Sequence, residues 1–436
     1  MPLTGWGRVP SVEAREIRSE QLASITEQVP LTRGLGRAYG DAALPARGDA
    51  VVAGSVLADR ILSFDDSTGL LHAEAGLSLD QIYRVLLPRG WYTPVTPGTR
   101  FVTLGGMVAA DIHGKNHHRD GCIGEYVRRV TLRVADGRIV VCSRDEEPDL
   151  FRATLGGMGL TGHILDVALQ LARVPSPWIF QQSERVPDID AFVDRLKASS
   201  REWPMTVGWI DGVAKGAALG RGVLLCGRWA DPHEAPRTFP ALRTAVPLPV
   251  DLPHGVLSPA VIRLFNAAYY RRAPAARAQS IVSPESFLYP LDAIGSWNRG
   301  YGRRGFIQYQ CVLPEAGVRQ SIRRFMELVA GHGRASFLSV IKDCGAEGIG
   351  TLSFPMPGIS VALDIPYDGV TQALVDQMNR FVIEQGGRIY LAKDALTRAE
   401  DFRAMEPRLT RFLDLRRAWD PHGRIRSAQS VRLFGW

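Results

Sequence analysis

A chain of 436 residues is too long for one compact core and long enough to bury a large cofactor between two domains of ordinary size. Hydrophobic content of 45% with 22% charged residues excludes a disordered polymer. Five cysteines, at 122, 142, 226, 311 and 344, form no CxxC pair and leave one over, which excludes a disulfide framework and fits a reducing compartment. The formal charge of +7 allows an anionic membrane surface, a phosphorylated substrate or nucleic acid as partner, besides a merely solvated basic face. With no basic stripe interleaved with aromatics, nucleic acid falls behind and is not expected as a partner. No apolar core precedes Arg15, so no signal peptide is expected. The longest uncharged stretch, Gly348 to Leu363, is broken by Pro355 and Pro357 and is too short to span a bilayer. A cytoplasmic protein, or a peripheral one at the cell membrane, is the expectation.

In chain order, Ile61–Phe64 and Leu70–Glu74 read as strands around an Asp-Asp-Ser-Thr-Gly turn. Ser78 and Gln81 then make a capping box for a helix that stops at Pro88 and Gly90. Val130–Ala135 and Arg138–Ser143 alternate around Asp136-Gly137, a hairpin signal that implies antiparallel pairing. Beyond Pro175 the pattern shifts to longer helices, Ile189–Ser199, Ala316–Gly331 and Val370–Gln385. Strands are expected at Phe306–Val312, Ser336–Ile341, Ser360–Ile365 and Arg388–Ala392. A basic helical tail, Arg398–Trp419, runs up to Asp420-Pro421. The class is α+β, with a domain boundary near 175.

Three glycine-rich segments could carry chemistry. The first is Arg33-Gly34-Leu35-Gly36-Arg37-Ala38-Tyr39-Gly40-Asp41, whose glycines let several N–H groups converge on an anion. The third glycine of a dinucleotide fingerprint would fall on Tyr39, so a nicotinamide site is disfavoured. The second segment is Pro97-Gly98-Thr99 followed by Thr103-Leu104-Gly105-Gly106 and, further on, Asp111-Ile112-His113-Gly114-Lys115-Asn116-His117-His118. Small residues there suit a helix start against a phosphate. The histidines invite a metal reading, but no cysteine or carboxylate pattern completes a site, and no metal is expected. The third runs from Asp149 to Ile164 and holds Gly156, Gly157, Gly159 and Gly162. A surface turn or tight helix packing explains any one segment; three in order imply a flat or charged ligand approached closely by backbone.

Only five lysines (115, 197, 215, 342, 393) stand against 47 arginines. A lysine kept in such a composition points to a titratable amine rather than to any cation.

Together with Gln308-Tyr309-Gln310 and Tyr390-Leu391-Ala392-Lys393-Asp394, these segments resemble the FAD domain of vanillyl-alcohol-oxidase-type flavoproteins. Within that superfamily they resemble the decaprenylphosphoryl-β-D-ribose 2′-oxidase family over essentially the whole chain. The resemblance implies an FAD-binding domain at 1–177, an inserted substrate domain built on an antiparallel sheet at 178–387, and a return to the FAD domain at 388–436. It implies FAD contacts from Arg33 through Asp41, including Leu35 and Ala38. Further contacts are implied from Gly98, Thr103, Leu104, Gly105, Gly106, Ala110, Asp111, Ile112, His113, Ile164 and Tyr390. Many superfamily members link the flavin to a histidine where this chain has Arg37, so the implied FAD is non-covalent.

Alcohol oxidation needs a base, a hydride path and positive charge near the reduced ring. Lys393 serves as the base if burial lowers its pKa, since desolvation disfavours the ammonium form; the resemblance places Tyr390 and Lys393 at the flavin face, with His113 beside the ring. Tyr39, Lys115, Gln308, Gln310, Lys342, Ala362 and Lys393 would line the substrate, with Asn298 and Arg299 as weaker candidates. Gln308 and Gln310 share a strand face, with Tyr309 opposite. Ala362 stands where mycobacterial members carry a cysteine, so thiol chemistry has no part in turnover. The implied reaction converts a polyprenylphosphoryl ribose to its 2′-keto sugar, and a separate NAD(P)H-dependent reductase would complete the epimerisation. The alternatives are oxidation of another sugar, alditol or natural-product alcohol, and a non-catalytic polyprenyl-phosphate-binding protein.

Overall fold

The computed structural model describes residues 2–49, 51–241, 245–253, 256–334 and 337–435. Its first part holds β1 (Arg15–Arg18), β2 (Thr32–Arg33), β3 (Val51–Gly54), β4 (Ile61–Asp65), β5 (Leu70–Glu74), α1 (Leu79–Leu86), α2 (Leu104–Ala109), β6 (Val127–Arg133), β7 (Ile139–Ser143) and β8 (His163–Gln170). Strands β1, β3 and β2 form a parallel sheet, and β7-β6-β8-β5-β4 an antiparallel one. The Asp136-Gly137 hairpin forms, with Gly137 at φ +92, the left-handed region that glycine enters without steric cost. The Ser78/Gln81 capping box also forms: the Ser78 hydroxyl accepts from Gln81 N, and Gln81 Oε1 accepts from Ser78 N at 2.8 Å.

The second part contributes β9 (Ile179–Val186), α3 (Ile189–Glu202), β10 (Met205–Ile210), β11 (Gly222–Trp229), α4 (Pro259–Arg272), β12 (Ala278–Val282), β13 (Phe306–Pro314), α5 (Val318–His332), β14 (Ser339–Cys344), β15 (Gly358–Pro366), α6 (Thr371–Glu384) and β16 (Arg388–Ile389). They build an antiparallel eight-stranded sheet, ordered β12-β9-β11-β10-β14-β15-β13-β16. The expected strand from Ser336 begins at Ser339, and Ser336 itself lies outside the described residues. One sheet face is apolar: Ile307, Tyr309, Cys311, Ile341, Val361 and Leu363 join the core formed with Phe192, Phe325 and Met378 of the covering helices. Strict alternation turns Gln308, Gln310, Ser360, Ala362, Asp364 and Lys342 to the other face, since Gln308 pairs Asp364, Gln310 pairs Ala362 and Lys342 pairs Ser360.

Two expectations for the last part change. The strand expected over Arg388–Ala392 ends at Ile389: Tyr390 N makes a last bond to Gln310 O, and the N–H groups of Lys393 and Asp394 then turn back onto Tyr390 O. The single helical tail is two helices, α7 (Ala399–Met405) and α8 (Leu409–Trp419), separated at Pro407, which has no N–H to continue the ladder. They are followed by α9 (Ala428–Phe434). This tail is fastened to the first part. Arg416 donates to Leu160 O at 3.1 Å, Arg426 pairs with Asp49 at 2.7 Å, and Arg432 bridges Asp41 and Asp394 at 2.7 Å each.

Candidate active site

The polar face of the eight-stranded sheet looks onto the glycine-rich loops of the first part. Gly34 fits against the start of α2 so closely that a Cβ there would lie 2.3 Å from Thr103 Oγ1. Thr103 itself caps α2, its hydroxyl accepting from Gly106 N at 3.3 Å. Gly105 packs on Ala75, where a Cβ would approach to 2.9 Å, and Gly36 sits at φ +64. Among the described residues, none of the backbone N–H groups of Gly34, Leu35, Gly36, Arg37 and Ala38 donates to a protein acceptor. Five successive donors left this way, next to a helix start, form an anion cradle. A diphosphate fits that donor set.

His113 joins the two halves. The Gln310 amide nitrogen lies 3.0 Å from His113 Nε2 and 3.1 Å from Ser360 Oγ. A donor facing Nε2 makes that nitrogen the acceptor and puts the ring proton on Nδ1. His113 Nδ1 is buried without a partner among the described residues, a donor aimed at something other than protein. Burial, reinforced by the positive charges of Lys342 and Lys393, holds the imidazole well below its usual pKa and therefore neutral. Tyr390 packs against it, centroids 5.0 Å apart, and stacks on Phe354 at 4.9 Å. The Tyr390 hydroxyl donates to Ala110 O at 2.9 Å, so residues 110–113 and 390 form one wall.

Three of the five lysines converge on this face. Lys393 Nζ lies 3.9 Å from the centroid of the Tyr39 ring. Lys115 donates to Leu288 O at 2.8 Å, and Lys342 projects from β14. Each is half-buried. Burial lowers the Lys393 amine to about 7, with Asp364 opposing and Lys342 assisting that shift. Burial lowers Lys115 to about 7 as well, again assisted by Lys342, and lowers Lys342 itself.

Asp364 went unnoticed in the sequence. It is fully buried, accepts from Gln308 Nε2 at 2.5 Å and from the Tyr301 hydroxyl at 3.3 Å, and is pushed up to about 7 by burial. The signal was present: Ser360, Ala362 and Asp364 alternate in an otherwise apolar strand, so an acid was set on the same face as the glutamines. With its nitrogen donating to Asp364, Gln308 keeps its carbonyl oxygen as an acceptor.

Other predicted positions fall behind this surface. Asp41 pairs with Arg432, and Asp111, at φ +38, accepts from Gly124 N at 2.9 Å and from the Ser353 hydroxyl. Both brace the loops. Ile164 belongs to the first part's core, whereas Leu35 is 40% exposed. Arg37 stacks on Trp6 with its guanidinium carbon 3.9 Å from the ring centroid, and its Nε is buried without an acceptor among the described residues. Asn298 donates to Trp6 O, and Arg299 to Leu248 O and Pro249 O, so these two hold loops together. The five cysteines are free and buried.

Residues 19–143 match the FAD binding domain family. Over 99% of its length the chain is 34% identical to decaprenylphosphoryl-beta-D-ribose oxidase of Mycolicibacterium smegmatis, covering 97% of that protein. The chain belongs to the decaprenylphosphoryl-β-D-ribose oxidase family. An uncharacterised Streptomyces coelicolor protein is 34% identical over its whole length and 82% of this chain. A putative D-arabinono-1,4-lactone oxidase of Neurospora crassa is 30% identical over 26% of this chain and 20% of its own. As a member of the ribose oxidase family, the protein is an FAD-dependent oxidoreductase, and its cofactor is FAD. The donors at 34–38 would hold the FAD diphosphate, while His113 and Tyr390 would flank the ring. Among the described residues, no helix is long and apolar enough to cross a membrane.

Proposed function

We propose that the protein oxidises the 2′-hydroxyl of a polyprenylphosphoryl-β-D-ribose to the 2′-keto sugar. This is the first half of conversion to the arabinose form, which a separate NAD(P)H-dependent reductase completes. The observation that carries the reading is the meeting of Lys393, Tyr39, Gln308 and Gln310 on one sheet face, in a chain that matches a decaprenylphosphoryl-ribose oxidase almost end to end.

FAD supplies the hydride acceptor for the carbinol carbon. Lys393, with an amine near 7, is substantially neutral at physiological pH and takes the hydroxyl proton. Burial keeps that amine and the His113 ring from protonating, and the neighbouring Lys342 amine assists in both cases. The Gln308 carbonyl, oriented by Asp364, accepts from a sugar hydroxyl. Gln310, tied to His113 and Ser360, closes the floor beside Ala362. A phosphate bound beside Lys115 and Lys342 would raise their lowered amines and hold them as cations, and the lipid carrier calls for contact with a membrane surface.

Reducing the product with borodeuteride tests the regiochemistry. Deuterium should appear at C2 of the sugar as a ribose and arabinose mixture. Label at another carbon, or none, refutes the assignment.

A further inference from the structure

Helix α4 (Pro259–Arg272) lies over the sheet face that carries the site, yet it buries little of itself: Ile262 and Asn266 are its buried residues. Asn266 pins it by donating to Asp211 Oδ1 at 2.8 Å. Val261, Leu264, Phe265 and Tyr269 form a continuous apolar row at helical spacing, and all are exposed, Leu264 by 74%. Val246 and Val250, in the segment leading to the helix, are exposed by 76% and 62%. Soluble surfaces seldom gather apolar side chains in this way without a partner.

Charge identifies the partner. The helix contains no acidic residue. Arg263, Arg271 and Arg272 make no ion pair or hydrogen bond among the described residues, although most carboxylates elsewhere are paired. An apolar row flanked by unpaired arginines is complementary to an anionic phospholipid surface, where the row enters the acyl boundary and the guanidinium groups meet the head groups.

The row also borders the sheet face that carries the site. Tyr269 packs on Trp209 with centroids 4.6 Å apart, and Phe265 on Phe337 at 5.6 Å. Tyr269 and Arg272 line a cavity of about 520 Å³ that extends to Tyr289 and Asp292. Trp209 pairs with Val340, two residues from Lys342 on the same sheet face.

We propose that α4 is a membrane-docking element that seats on anionic phospholipid and presents this cavity to a lipid-linked substrate. The second clause rests on the polyprenylphosphoryl ribose reading; the docking itself does not.

The test is co-sedimentation of the FAD-loaded protein with vesicles of phosphatidylcholine alone and of equal parts phosphatidylcholine and phosphatidylglycerol. The protein should bind the anionic vesicles selectively. Val261→Glu/Leu264→Glu should weaken binding by about tenfold or more, with an unchanged flavin spectrum and unchanged flavin reduction by a short-chain prenylphosphoryl ribose. Arg263→Gln/Arg271→Gln, which leaves the apolar row intact, should weaken it too and flatten its salt dependence. Equal binding by wild type and both variants overturns the proposal. So does absence of binding to anionic vesicles, or a dimer in solution that the glutamate variant dissolves. If the ribose substrate fails to reduce the flavin while vesicle binding behaves as stated, the substrate reading falls and the docking stands.

Discussion

Lys393 Nζ sits 3.9 Å from the centroid of the Tyr39 ring, joining the first glycine-rich loop to the segment that leaves the eight-stranded sheet. Tyr39 N also donates to Ala392 O at 2.9 Å, so the loop and the amine are held in register by backbone as well as by ring. The position of Lys393 is therefore set by two parts of the chain about 350 residues apart in sequence. Replacing it with alanine should leave FAD bound and slow anaerobic flavin reduction by substrate on the order of 10²–10⁴-fold, the range of a lost general base. Stopped-flow absorbance measures this, and a wild-type rate in Lys393→Ala removes the residue from the chemistry.

The pH dependence follows from the same amine. A base acts when deprotonated, so the reduction rate should rise as pH increases through about 7, the value to which burial lowers Lys393. The negative charge of Asp364 opposes that lowering. Asp364→Asn should accordingly shift the inflection to lower pH, and should raise KM by loosening the orientation of Gln308. An inflection that moves upward, or stays in place with KM unchanged, contradicts this role.

Gly34 tests the cofactor cradle. A methyl group there meets Thr103 Oγ1 at 2.3 Å, so Gly34→Ala must push the loop off α2 and misdirect its free N–H groups. The ratio of absorbance near 450 nm to protein should fall severalfold in the purified variant. In the wild type, acid precipitation should release the yellow colour to the supernatant, the outcome expected of a non-covalently bound flavin. A full flavin complement in Gly34→Ala contradicts the cradle.

Much of this was legible in the sequence, for physical reasons that differ by element. The capping box at Ser78 and the Asp136-Gly137 turn are local, and local chemistry decides them. The facing of Gln308 and Gln310 follows from strand alternation once the strand is known. Asp364 was missed because its significance lies in the partner across the ladder, and register is a property of two strands. The short β16 was missed because the chain turns back onto Tyr390 O after its last ladder bond, whereas the break at Pro407 is a local signal, a residue with no N–H, that the helical periodicity on either side masks. The exposed row on α4 needed the fold, since an apolar helix face in sequence reads as core.

Ala362 gives a gain-of-function test. It is 8% exposed, on the face shared with Gln308 and Gln310, whereas burial raises the thiols of Cys142, Cys311 and Cys344 to about 12 and that of Cys226 to about 11. Cys122 is raised by burial as well. The wild type should therefore resist thiol-directed reagents, since the thiolate is the reactive form. Ala362→Cys should be labelled once per chain, with loss of turnover and protection by substrate. Labelling of the native protein at a similar rate would show that the buried cysteines are accessible.

The most direct test of the central claim is anaerobic titration of the flavin absorbance near 450 nm. Polyprenylphosphoryl ribose should bleach it, while the 2′-deoxy analogue, free ribose and alditols leave it unchanged. Bleaching by free sugars or alditols, with none by the lipid-linked ribose, would contradict the account.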